Sequence, residues 1–162
     1  MSPKRIVLGF CATAAVAAAC LANSSFMNWE SARFGAITLA DITTRNGVST
    51  GSAPLGLDMN GDVQITADNS ANARLSGPNG AALQTEYALS FDGNGLSSSG
   101  APNVPYAAYS AFLNPSVRIT HIPGGDLVHV TLSVRATHPP GVTMDAGAYA
   151  ATASLTVSWI GP

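Results

Sequence analysis

Two stretches of period-two alternation constrain this chain more than any other feature. Across residues 127–136, Val128, Val130, Leu132, Val134 and Ala136 share one parity, and His129, Thr131, Ser133 and Arg135 share the other. Further on, Tyr149, Ala151, Ala153, Leu155, Val157 and Trp159 alternate with Thr152, Ser154, Thr156 and Ser158. Successive side chains of a strand point to opposite faces, so each stretch predicts a strand with one apolar and one polar face. Such strands belong to antiparallel sheets that cover a core on one side.

Shorter runs repeat the pattern. Val63, Ile65 and Ala67 form one, Tyr87, Leu89 and Phe91 another, and Val117 and Ile119 flank Arg118; residues 34–42 (FGAITLADI) predict a further strand. Turn residues separate these runs at Asn46-Gly47, Asn60-Gly61, Pro78-Asn79-Gly80, Pro123-Gly124-Gly125 and Pro139-Pro140-Gly141. Residues 105–114 (PYAAYSAFLN) suit either a short helix or a coil with aromatic anchors. About six to eight short strands with such turns indicate an all-β fold, an immunoglobulin-like antiparallel β-sandwich. Neither a repeat nor a linker divides it.

The first residues read differently. Lys4 and Arg5 precede IVLGFCATAAVAAAC, the build of a secretory signal peptide and short for a membrane span. The expected organisation is a signal peptide over 1–22, an N-terminal extension over 23–33, and a sandwich domain over 34–162. Ala18-Ala19-Cys20 also has the form of a lipoprotein signal, which would anchor the chain through a lipidated Cys20. Both cysteines, Cys11 and Cys20, lie in this leader, so the mature fold is expected to rest on burial without a disulfide. The whole chain carries a formal charge of −2. Removing Lys4, its only lysine, and Arg5 leaves a more acidic protein, a poor match for nucleic acid, which calls for clustered cations. The mature protein is expected to have no transmembrane span.

Motifs for catalysis are few. His121, His129 and His138 are scattered, without metal-ligand spacing, and no cysteine outside the leader can assist them. No G-x-S-x-G elbow is present to activate a serine. Asp58, Asn60 and Asp62 occupy the first, third and fifth positions of a calcium loop, but the glycine comes too early and Asn69 stands where a bidentate Glu belongs. A tight Asn-Gly turn accounts for the same residues. The expectation is a non-enzymatic protein with no catalytic residues, metal or cofactor.

Ala146-Gly147-Ala148-Tyr149, followed by an alternating strand that closes the sequence, resembles the C-terminus of non-classical chaperone–usher pilins: the CFA/I-type, common-pilus and spore-coat-U-like fimbrial subunits. GDVQITADNSANARLSG followed by LQTEYALSFDGNGL is similar in layout to their paired core strands, and FGAI to their opening strand. The resemblance implies a sandwich missing its final strand. A periplasmic chaperone fills the open groove, and at the outer-membrane usher the N-terminal extension of a neighbouring pilin subunit replaces it. It further implies that Tyr149, Ala151, Ala153, Leu155, Val157 and Trp159 form a wall of this assembly groove, with the Pro162 carboxylate held by the chaperone. The donor segment would present Phe26, Ala32, Phe34 and Ala36 in one parity, interrupted by Asn28 and Glu30, with Met27 and Trp29 in the other. The expected function is therefore that of a structural subunit of a surface fimbria in adhesion or biofilm formation, exported through the periplasm to the cell surface. The alternative is a self-complete, secreted or lipid-anchored binding module for carbohydrate or another surface ligand, with Tyr106, Tyr109 and Phe112 as its aromatic platform.

Overall fold

The computed structural model describes residues 6–14, 26–30, 36–92, 95–97, 103–124 and 127–161. Eleven strands occur among them: β1 (Ile6–Ala14), β2 (Met27–Trp29), β3 (Ile37–Leu39), β4 (Val48–Met59), β5 (Asp62–Ala67), β6 (Gln84–Phe91), β7 (Gly95–Ser97), β8 (Asn103–Ala108), β9 (Val117–His121), β10 (Leu127–Thr137) and β11 (Ala150–Gly161). They form two sheets, ordered β2-β4-β10-β6-β8 and β3-β1-β11-β5-β9-β7. The protein is an all-β sandwich, as the alternating runs predict.

Burial follows parity. Val128, Val130, Leu132, Val134 and Ala136 of β10 are fully buried, and so are Leu155 and Val157 of β11, with Ala151 and Ala153 nearly so. These two faces meet across the core with Leu57, Met59, Ile65, Leu89 and Ile119. Asn60-Gly61 is the tight turn that carries the chain from β4 in one sheet to β5 in the other, as the Asn-Gly reading of those residues expects. Gly61 is required there because Trp159 packs so closely over it that a Cβ would overlap the indole. Residues 105–114 are no helix: β8 runs to Ala108, and turns follow. Tyr109 packs against the core and Phe112 enters it beside Tyr87, with ring centroids 5.5 Å apart.

The order β2-β4-β10-β6 matches the A-B-E-D sheet of an immunoglobulin-like sandwich, and β11 beside β5 matches F beside C. All pairings are antiparallel except one. β1 runs parallel to β11, and it occupies the place beside F that the last strand, G, would hold. Two strands thus precede residue 34, the expected start of the sandwich. One is β1, inside the stretch read as a leader; the other is β2, inside the expected extension.

Candidate functional site

The C-terminal strand gets its geometry from the turn that introduces it. Tyr149 lies 6% exposed at the start of β11, and its hydroxyl donates to the Asp145 carbonyl at 2.9 Å. A tyrosine at the E–F corner that bonds back to the chain a few residues upstream is the tyrosine corner of immunoglobulin-like sandwiches. Gly147 and Gly77 explain the tight packing around it. Pro78 lies over Gly147 and the Tyr149 ring over Gly77, so a Cβ at either glycine would overlap its neighbour. Desolvation by burial raises the Tyr149 pKa, and the nearby Asp145 charge adds to the effect. Asn79 fixes Asp145 by donating to its Oδ2 at 3.0 Å. The Gly-x-Tyr motif is therefore an interlock that aims β11.

From this corner β11 runs between two unequal neighbours. β5 pairs antiparallel with its later part, from Leu155↔Ala67 to Gly161↔Asp62. β1 pairs with its earlier part, from Val7↔Ala150 to Ala14↔Val157. The other edge of β1 meets β3 through Ile6↔Leu39, Val7↔Thr38 and Leu8↔Ile37. Since β1 lies between β3 and β11, it fills a slot one strand wide; neighbouring strands lie about 4.8 Å apart, so its walls are roughly 9.6 Å from each other. The inward wall on the β11 side consists of Ala151, Ala153, Leu155 and Val157. Trp159 is half-buried beyond the last residue paired with β1, next to an irregularity in register between Trp159 and Gly161. Tyr149 precedes the strand, and Pro162 lies outside the described residues.

The donor segment is placed differently from its expected parity. Met27 and Trp29 are buried where β2 pairs with β4, whereas Phe26 is 39% exposed and Ala36 is exposed. The reason is physical: Met27 and Trp29 carry the larger apolar area of the β2 stretch, and burying it decides which face turns inward. Ala32 and Phe34 lie outside the described residues. Its described strand, β2, forms the edge of the five-stranded sheet, with β1 and β11 of the other sheet close by.

Polar groups around the sandwich are spent on structure. Asp62, 7% exposed, accepts from the Arg118 guanidinium, and its Oδ1 accepts from the His121 backbone at 2.8 Å. The Arg118 hydrogen bond is the main cause that holds its carboxyl below the ordinary value. Arg135 donates to Glu86 at 2.8 Å and stacks 4.4 Å from the Tyr106 ring centre. His129 and Asp92 meet at 2.7 Å, and His138 Nδ1 lies 2.9 Å from the Pro139 carbonyl. Tyr106, Tyr109 and Phe112 do not form one exposed platform: Phe112 is 2% exposed, and Arg135 covers Tyr106. Among the described residues, no group of three or more His, Cys, Asp or Glu could hold a metal ion. Nor is any helix among them long and apolar enough to cross a membrane.

No protein-family model matches the chain, and no curated protein is significantly similar to it.

Proposed function

We propose that the chain is a structural, non-enzymatic subunit of a bacterial surface filament, built by strand addition through a periplasmic chaperone, an outer-membrane usher and neighbouring subunits. One observation carries the reading. The final-strand place of the sandwich is filled by Ile6–Ala14, a segment from the other end of the sequence that runs parallel to β11. If those residues are removed as a leader, β11 and β3 face each other across an empty strand place, above the buried faces of Ala151, Ala153, Leu155 and Val157. An unpaired edge beside an apolar slot is what strand addition uses: backbone hydrogen bonds supply affinity, and alternate side chains supply register.

Export tests this reading. The full gene expressed alone in a bacterium with a periplasm should give a leader-processed chain that is degraded, or that forms oligomers resisting detergent until heated. A processed chain recovered as a stable monomer would contradict it. The second reading, a self-complete sandwich, is favoured by the same strand if Ile6–Ala14 is kept, because β1 then pairs on both of its edges.

A further inference from the structure

The other edge of β11, on the side of β5 and away from β1, has a gap of its own. At one end of the gap Ala150 exchanges both backbone bonds with Ser76, each at 3.0 Å; at the other the Ser154 carbonyl accepts from the Asp68 N–H at 2.8 Å. Alternate residues of a strand turn their backbone groups to the same edge, so the N–H and C=O of Thr152 point here as well. Continuing the ladder from Ser76↔Ala150 would set Arg74 opposite Thr152. Arg74 has spent its backbone elsewhere: its N–H donates to the Ala71 carbonyl at 3.2 Å, closing the 3-10 turn of Ala71–Ala73, and its C=O accepts from the Ser76 hydroxyl at 3.2 Å. Among the described residues nothing bonds to Thr152 across this edge.

The gap is an open depression of about 440 Å3, lined by Asn72, Arg74, Ser76 and Thr152 among others, and no carboxylate lines it. Arg118 pairs with Asp62 and Arg135 with Glu86, but Arg74 forms no ion pair among the described residues. Its side chain is half-buried, and its Nε is shielded from solvent without an acceptor. Burying an unmet donor on a charged group is unfavourable, and an acceptor brought by a ligand would relieve it. Asp68, the closest acidic residue in sequence, does not serve: its two carboxylate oxygens accept from the backbone and hydroxyl of Ser70 at 3.0 and 3.1 Å.

We propose that this gap is a binding site for a small N-acylated amino acid, held by Thr152 and Arg74. The ligand stands where a strand residue would, opposite Thr152: its N–H donates to the Thr152 carbonyl, and one carboxylate oxygen accepts from the Thr152 N–H. Its second carboxylate oxygen takes the Arg74 guanidinium, with the Asn72 amide at hand as a further donor. Acylation keeps the ligand nitrogen a neutral donor. A single cation in the lining suits a singly charged carboxylate better than a doubly charged phosphate.

Amide NMR on the full chain tests the site. Titration with N-acetylalanine should shift the Thr152 amide and the Arg74 Nε–H most, with a Kd on the order of millimolar. N-acetylalaninamide, which lacks the charge, and acetate, which lacks the N–H, should each bind about tenfold more weakly. Arg74→Gln should weaken N-acetylalanine binding by about tenfold as well. Its Tm should stay that of the unaltered chain, because the Arg74 side chain gives up no ion pair. Absence of a saturable shift at Thr152, equal binding of the uncharged amide, or undiminished affinity in Arg74→Gln would each overturn the proposal. Inorganic phosphate competing as strongly as N-acetylalanine would also overturn it, since the gap would then be an unselective anion patch. The site lies on the edge of β11 opposite β1, so either outcome leaves the filament reading to its own test.

Discussion

Strands β10 and β11 are both long, both alternate apolar with polar residues, and both lie inside a sheet rather than at its edge. Their neighbours differ. β10 is flanked by β4 from Leu127↔Asp58 to Thr137↔Val48 and by β6 from Val130↔Phe91 to Thr137↔Gln84, all antiparallel and all drawn from residues 48–91. β11 has an antiparallel partner along its later part only, and its earlier part relies on the parallel β1. Alternation specifies which face of a strand is buried. It carries no information about who pairs with each edge, because backbone hydrogen bonds do not depend on side-chain identity.

The largest test of this contrast lies in the core. Leu132→Ala should cost about 2–5 kcal/mol in urea unfolding, whether or not residues 6–14 are attached, because β10 is closed on both sides. Leu155→Ala should cost a similar amount only while β1 is in place. Equal losses for Leu155→Ala in both forms would erase the distinction between the two strands. Next in size is the corner that aims β11. Gly147→Ala should cost roughly 1–3 kcal/mol by forcing Pro78 aside. Tyr149→Phe should cost about 1 kcal/mol through the lost bond to the Asp145 carbonyl. If both were neutral, the Gly-x-Tyr interlock would not be what positions the strand.

Smaller effects are expected from charges. The folded state depresses the Asp62 pKa, so it binds the proton less readily than the unfolded chain does. The resulting stabilisation is complete above the ordinary value of 3.8 and is lost as the pH falls from there through the folded value. Asp62→Asn should flatten that part of a stability–pH profile, by a modest amount because Arg118 is about half exposed. Smallest of all, Glu86→Gln should change stability by roughly 1 kcal/mol or less, since the Arg135 side chain on the outer face of the five-stranded sheet is still 36% exposed and screened by solvent.

Much of the fold could be read from particular residues. The parity of Val128 to Ala136, the Asn60-Gly61 turn and the inward face of Ala151 to Val157 each follow from local pattern. Other features did not. Phe26 and Trp29 compete within one short segment, and tertiary burial of Met27 and Trp29 decided between them. The role of Tyr149 was visible only as a Gly-x-Tyr motif, since its partners Gly77 and Pro78 lie some seventy positions earlier. β1 was hidden for a different reason. A leader needs a continuous apolar stretch of small residues, and such a stretch also makes an acceptable strand when both of its edges find partners.

Amide hydrogen exchange on the full chain and on its leader-processed form tests the central claim most directly. The account predicts that β10 keeps its protection in both forms, while amides of β11 across 150–157 lose theirs once residues 6–14 are gone. Full protection across 150–157 in the processed monomer would contradict it, because the sandwich would then close without a strand from elsewhere.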